Sequence, residues 1–224
     1  MTAPPLAFEE VVPQGGGASR VSFAVRAHEV VAVMGDAGTG VQRLGPIALG
    51  LEPPAAGRAL VFGEEVGRMP RPEALAFRRR VGYVPQGDGL LQNLSLADNV
   101  ALPLRFGSSL SPREIESRLR VMLAAVRLTD AAGLRPAAAN DEQRRRAALA
   151  RALAFDPELV ILAQPFDGLG PRAAGEILEM ARGGDTPEGA RRTVFLTAQM
   201  LPDRVRARVD ARYRLTHGTL RPEP

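Results

Sequence analysis

Three stretches of the chain are apolar at nearly every position: Val30–Met34 (VVAVM), Glu158–Leu162 (ELVIL) and Thr193–Thr197 (TVFLT). A strand with one wet face alternates apolar and polar residues, whereas a strand covered on both faces does not. Between these runs lie segments of helical period. Short apolar strands alternating with helices predict a parallel sheet covered on both faces, hence an α/β fold.

The rest of the chain fits around that sheet. Leu6–Val12 and Val21–Val25 read as two strands separated by a turn at Gly15–Gly17, and Ala59–Phe62 as another short strand. A helix is predicted from about Val41 to Leu49. Arg78–Arg80 closes a second helix that leads into a strand at Val81–Pro85. From Gly87 to about Ala154 the pattern turns helical. Ser111-Pro112-Arg113-Glu114 has the composition of a helix start, with a serine cap, proline in the first turn and then an acid. Pro171–Arg182 is helical, Gly183–Gly189 a loop, and Pro202–Arg208 a short helix. Ala211–Arg221 reads as a terminal hairpin turning at His217-Gly218. Gly63–Arg71 offers only a loop, and there is no internal repeat.

Composition changes this picture little. A chain of 224 residues with 45% hydrophobic and 24% charged content can bury a proper core. There is no cysteine, so thiolate–metal and disulfide chemistry are excluded. The start, MTAPPLAFEEVV, lacks a basic segment followed by an apolar one, and no run approaches the ~18 residues that span a bilayer. A cytoplasmic protein is expected. All 29 basic residues are arginine, and the net charge is +4. The arginine clusters at 78–80, 144–146 and 191–192 are mixed with acids and have few aromatics near them that could stack on bases, so nucleic acid is not expected. They read as solvated helix faces, or as contacts with a membrane-bound partner or anionic headgroups. His28 and His217 have no partners at metal-ligand spacing.

The candidate chemistry begins at VVAVMGDAGTGVQRL, Val30 to Leu44. An apolar strand runs into a glycine-rich turn (Gly35, Asp36, Ala37, Gly38, Thr39, Gly40) and then an apparent helix. That order builds a phosphate-binding loop, whose last glycine is followed by Lys and then Ser or Thr. Here those two positions are Val41 and Gln42. Compositional drift from Lys to Arg would have kept the charge, so Val41 is a loss that drift does not explain.

Two further segments carry a family resemblance. VGYVPQGDGLLQNLSLADNVALPLR (Val81–Arg105) resembles the Q-loop region of ATP-binding cassette (ABC) transporter ATPases. QRRRAALARALAFDPELVILAQPFDGLGP (Gln143–Pro171) resembles the end of their signature helix, the Walker B strand and the start of the D-loop. With the glycine loop, the resemblance covers nearly the whole chain. The NVALPLR and RRRAALARAL wording is similar in particular to ATPase subunits of Mce/Mla-type lipid importers. The resemblance implies a P-loop NTPase (RecA-like) core with an N-terminal antiparallel β subdomain and a helical subdomain. As one domain, 1–86 would hold the β subdomain and the first part of the core, 87–154 the helical subdomain and 155–224 the rest of the core.

The same resemblance implies roles, and the residues present depart from many of them. Val41 replaces the lysine that reaches the β- and γ-phosphates, and Gln42 the hydroxyl that holds Mg²⁺. Ala163 and Gln164 stand where Asp-Glu would end the Walker B strand. Alanine cannot support a metal's shell, and a neutral amide cannot accept a proton. Ala198 replaces the switch histidine and Gly170 the D-loop aspartate. Val12-Pro13-Gln14 replaces the aromatic that stacks on adenine. The signature pentapeptide aligns with Ala139-Asn140-Asp141-Glu142-Gln143, so Asp141 and Glu142 would bring two carboxylates towards a phosphate. Losing the lysine and the hydroxyl costs about 3–6 kcal/mol, roughly a hundred- to ten-thousand-fold in affinity. Arg43 would substitute for the lysine only on a rotated helix start; otherwise it is a surface or core-rim arginine. Asp36 is tolerated in the family's loops.

These departures imply a pseudo-ATPase in which the loop glycines retain weak ATP binding, no cofactor is required and the magnesium ligands are missing. Gln86 sits where the Q-loop glutamine should. The segment around it would either face a transmembrane permease or persist as a folding unit only. The expected partners are a permease subunit and a competent ABC ATPase subunit or a second copy, at the inner face of the cell membrane. The alternatives are a working or one-sided ATPase subunit, and a relic or designed inactive variant without partners. ABC sites pair one chain's Walker motifs with the other's signature. A heterodimer with this chain would therefore spoil both sites.

Overall fold

The computed structural model describes residues 3–15, 20–36, 38–184, 191–216 and 218–223. Gly16 and Gly17 of the expected first turn, Ala37 of the glycine loop, His217 and most of the 183–189 loop lie outside them.

Strand β3 (Val30–Gly35) is buried at all six positions, as are the five of β6 (Leu159–Ala163) and the six of β7 (Thr193–Ala198). These are the three stretches whose lack of alternation predicted two covered faces, though β6 begins at Leu159 and β7 ends at Ala198. With β5 (Val81–Val84), β8 (Ala211–Thr216) and β9 (Thr219–Pro222) they form a six-stranded sheet in the order β5-β6-β7-β3-β8-β9. All neighbouring pairs are parallel except β8–β9, the terminal hairpin.

The pleat sends alternate side chains to the two faces. Val30, Ala32, Met34, Val160, Leu162, Val194 and Leu196 join a core built with helices. Val31, Val33, Leu159, Ile161 and Phe195 join a second core, under a small antiparallel sheet. That sheet has the order β2-β1-β4, from β1 (Leu6–Val12), β2 (Val21–Val25) and β4 (Ala56–Val61). Strand β4 starts three residues before the strand expected at Ala59. Phe195 reaches across to Phe8 and Phe23, with ring centroids 5.6 and 5.8 Å away. Strand β1 bulges at Glu10, whose φ is +52. Gly57 of β4 lies against this bulge, where a Cβ would come within 2.3 Å of the Glu10 carbonyl oxygen.

After β3 the chain makes a 3-10 turn at Val41–Arg43 and one short helix, α1 (Leu44–Ala48), in place of a single helix to Leu49. Gly45 and Pro46 disfavour a longer helix, and Gly50, at φ +62, turns the chain away. Helix α2 (Arg71–Phe77) continues through a 3-10 turn at Arg78–Arg80 into β5. The loop expected over 63–71 holds a further 3-10 turn, Val66–Arg68.

Between β5 and β6 lie α3 (Leu96–Gly107), α4 (Pro112–Ala125) and α5 (Asp141–Ala152). Helix begins at Leu96 rather than Gly87, because Gly87, Asp88 and Gly89 all have positive φ. Ser95 caps α3, and Ser111 with Glu114 forms the capping box of α4 that the Ser-Pro-Arg-Glu sequence suggests. Helix α6 (Pro171–Arg182) matches its expected span, and α7 (Asp203–Arg206) is shorter than expected. Among the described residues no helix is long and apolar enough to cross a membrane.

Candidate functional site

In parallel α/β sheets, ligands bind outside the carboxyl ends of the strands. Here those ends bring together the glycine loop, Gln86, Ala163, Gln164 and Ala198. Met34 of β3 pairs with Ala198 of β7, and Ala163 of β6 pairs with Thr197. Gln164 follows at φ +48 and donates its backbone N–H to the Thr197 carbonyl at 2.9 Å. Gln86, just past β5, donates from Nε2 to Gln164 Oε1 at 3.1 Å.

The glycine loop folds back on itself over the end of β3. Gly38 and Gly40 have φ of +92 and +80, conformations that glycine adopts without penalty. Thr39 is buried and closes the loop with both backbone and side chain. Its N–H and its hydroxyl both donate to the Asp36 carbonyl, at 3.2 and 2.8 Å. The same hydroxyl accepts from Val41 N–H at 3.4 Å. A Cβ at Gly35 would sit 2.7 Å from the Thr39 hydroxyl oxygen, so this closure needs glycine there.

Val41, Ala163, Gln164 and Ala198 are neutral and buried. Val41 is 1% exposed and packs in the apolar core beneath the small sheet. Ala163 and Ala198 are 3% and 4% exposed, and Gln164 is 7% exposed. Gln42 is half-buried. Arg43 pairs with Glu52 at 2.9 Å, which places it at the core rim. Thr197 has a buried hydroxyl without a hydrogen-bond partner among the described residues. Gln14 of the Val12-Pro13-Gln14 segment donates to the Pro53 carbonyl at 3.3 Å. His28 is tied to its own neighbourhood: its N–H donates to Thr193 Oγ1, and its ring meets the Arg191 carbonyl.

Asn140, Asp141 and Glu142 open α5, away from the glycine loop in sequence. Asn140 accepts from Gln143 N–H at 2.8 Å, and Gln143 Oε1 accepts from Asn140 N–H at 3.0 Å, a complete capping box. The two acids are not bare carboxylates, as the sequence alone suggested. Asp141 pairs with Arg144, and Glu142 with Arg146 at 2.6 Å. Arg146 also reaches Glu176 of α6 at 2.5 Å. Hydrogen bonds from Arg172, then from Arg146, hold the Glu176 carboxyl below its ordinary value. Burial pushes the neighbouring Arg145 guanidinium down, an effect that the Asp88 charge opposes. The spacings i,i+3 and i,i+4 made these pairs legible in the sequence. Nothing in the sequence marked Arg144 as reaching further, to Asp88, 3.3 Å away.

The model of the ABC transporter family matches residues 18–167. The chain is 36% identical over 172 residues to the methionine import ATP-binding protein MetN of Caulobacter vibrioides, covering 76% of this chain and 52% of that one. It is 33% identical over 156 residues to MetN 2 of Pseudomonas aeruginosa, covering 70% and 47%. It is 34% identical over 162 residues to the intermembrane phospholipid transport ATP-binding protein MlaF of Haemophilus influenzae, covering 72% and 61%. The chain thus spans about half the length of the curated relatives it matches, and these relatives do not single out a lipid system. In structure it resembles the dimeric bacterial ABC transporter cassette MJ0796, with a TM-score of 0.84, 24% identity and 97% of each chain covered. It also resembles cbiO1 of Clostridium perfringens, with a TM-score of 0.79, 22% identity and coverage of 98% and 87%. At these identities the likeness is one of fold, and it agrees with the expected core, small sheet and helical segment.

Proposed function

The chain belongs to the ABC transporter family, and from that premise we propose that it is a nucleotide-binding-domain homologue that has lost ATP hydrolysis and works by docking. Its partners are a transmembrane permease and a competent ATPase subunit or a second copy, at the cytoplasmic face of a membrane. The observation that carries this reading is the donor set at the carboxyl ends of β3, β6 and β7. Val41 is packed into an apolar core, Ala163 and Ala198 offer methyl groups, and the Gln164 amide oxygen is taken by Gln86. Arg43 is engaged with Glu52 and supplies no substitute cation.

Phosphoryl transfer in this family's fold is mostly positioning and charge neutralisation. Magnesium prefers oxygen ligands of carboxylate and hydroxyl type in a near-octahedral shell. Gln42 and Ala163 do not fit that ion, and no group of three carboxylate or histidine residues is poised for a metal among the described residues. A general base needs an acceptor for the proton of the attacking water, and the Gln164 amide is not one. Weak nucleotide contact rests on backbone N–H groups of the loop among Gly35, Asp36, Gly38 and Gly40, since Thr39 N–H is held by the Asp36 carbonyl. Val41 N–H is already spoken for by Thr39.

The likeness to MlaF supports lipid-type cargo, and the equal likeness to MetN proteins supports a methionine-type importer. A permease recovered with the chain from native membranes decides between them; recovery of none would count against docking.

A second reading, a working ATPase subunit, is favoured by the family match and by the retained left-handed glycines Gly38 and Gly40. Phosphate release from ATP with magnesium separates the two. The expected outcome is none above background. Turnover that disappears in Gln164→Ala would overturn the pseudo-ATPase reading. Val41→Lys with Gln42→Thr should improve nucleotide binding without restoring hydrolysis, because Ala163, Gln164 and Ala198 remain.

A further inference from the structure

The segment from Pro85 to Ser95 joins β5 to α3 with little regular structure. It contains three consecutive residues at positive φ, Gly87, Asp88 and Gly89. Such a segment would ordinarily open easily. Here it is held by side chains from four directions. Gln164 accepts from Gln86 at 3.1 Å. Arg151 of α5 donates to the carbonyls of Asp88 and Gly89, at 3.0 and 2.8 Å. The buried Asn99 of α3 accepts from Leu91 N–H at 2.7 Å and donates to the carbonyls of Leu91 and Ser95, at 3.0 and 2.9 Å.

The fourth holder is Arg144, and all three nitrogens of its guanidinium are engaged. Nε faces Asp88 Oδ2 at 3.3 Å, Nη1 donates to the Ala139 carbonyl at 2.7 Å, and Nη2 pairs with Asp141. Asp141 in turn lies against the turn after β6, where a Cβ on Gly168 would come within 2.7 Å of its carboxylate. The other Asp88 oxygen accepts from Leu90 N–H at 2.9 Å, so the Asp88 carboxylate is itself fixed. A single planar fork therefore joins the loop after β5 to the start of α5, with the turn after β6 packed behind it. A lysine could not do this, because a point charge does not fix three acceptors at once.

We propose that Arg144, with Asp141 and Asp88, is a staple that holds the 85–91 segment on α5 in one arrangement whether or not nucleotide is present. The inference rests on the docking reading above and deepens it. A chain that cannot use hydrolysis to reposition this segment presents it in a fixed form. The acid at position 141, costly for closure over a phosphate, is here the group that orients the staple. Arg144 is a positioning residue that touches no nucleotide.

Hydrogen exchange of the Asp88, Leu90 and Leu91 amides, which donate to the Pro85 carbonyl, Asp88 Oδ1 and Asn99 Oδ1, tests this on the full chain. In the wild type these amides should exchange slowly, with rates unchanged by magnesium and ATP. Arg144→Gln should speed their exchange about three- to tenfold, discounting the pair for its partial exposure. The amides of β7 and the urea midpoint for global unfolding should stay as in the wild type. Arg144→Lys should restore part of the protection, and Asp88→Asn should reproduce the loss from the other side. Wild-type protection in Arg144→Gln, or protection in the wild type that appears only on adding nucleotide, would overturn the staple. Phosphate release is followed on the same samples. Turnover with an intact staple sinks the docking reading alone, whereas fast exchange without turnover sinks the staple alone.

Discussion

Arg146 is a well-buried guanidinium held by two carboxylates, Glu142 and Glu176, and it also donates to the Val126 carbonyl at 3.0 Å. Glu176 collects Arg127, Arg146 and Arg172. Its carboxyl is therefore held below the ordinary value of 4.5, chiefly by hydrogen bonds from Arg172 and Arg146. A folded-state value below the unfolded one stabilises the fold above the unfolded value, and that stability is lost as pH falls through the folded value. Urea denaturation across pH should therefore show part of the acid sensitivity below about pH 4.5 disappear in Glu176→Gln. The same variant should lose about 1 kcal/mol at neutral pH, because Arg146 keeps only one carboxylate partner.

At the scale of elements, helix starts are written locally and helix lengths are not. Helix α4 has one buried residue, Leu123, with Leu119 and Met122 packed part-buried beside it, so a narrow apolar face holds it. Its stability leans on the capping box, in which Ser111 and Glu114 exchange hydrogen bonds at both backbone and side chain. Ser111→Ala should cost about 1 kcal/mol, seen as a lower urea midpoint. The serine, proline and acid of that start were readable because a cap involves residues only three apart. The helix expected over 41–49 was not readable in the same way. Its apolar spacing is helical, but Gly45, Pro46 and the turn at Gly50 cut it to one short segment after a 3-10 turn. The onset at Leu96 was misplaced for a related reason, since Gly87, Asp88 and Gly89 at positive φ break a stretch whose apolar spacing is helical.

At the scale of the whole molecule, two cores share one sheet, and Phe195 connects that sheet to the small antiparallel one. It is fully buried against Phe8 and Phe23, while Phe23 stacks on Tyr213 of β8 at 5.2 Å. Phe195→Ala should cost about 3–5 kcal/mol in urea denaturation, because the void would lie between two sheets that cannot collapse together. The sequence by itself determined the layering, since strands without alternation need cover on both faces, and it placed the glycine loop after the right strand. It also held the uncharged side chains at Val41, Gln42, Ala163, Gln164 and Ala198, because each is a matter of residue type. Tertiary structure alone decided what those positions do now. It put Val41 in the core and tied Gln164 to Gln86, and it turned Asp141 from a bare charge into an arm of the Arg144 staple. Those outcomes depend on contacts between residues far apart in the chain, 78 positions for Gln86 and Gln164, and the spacing of side chains along one element carries no record of them.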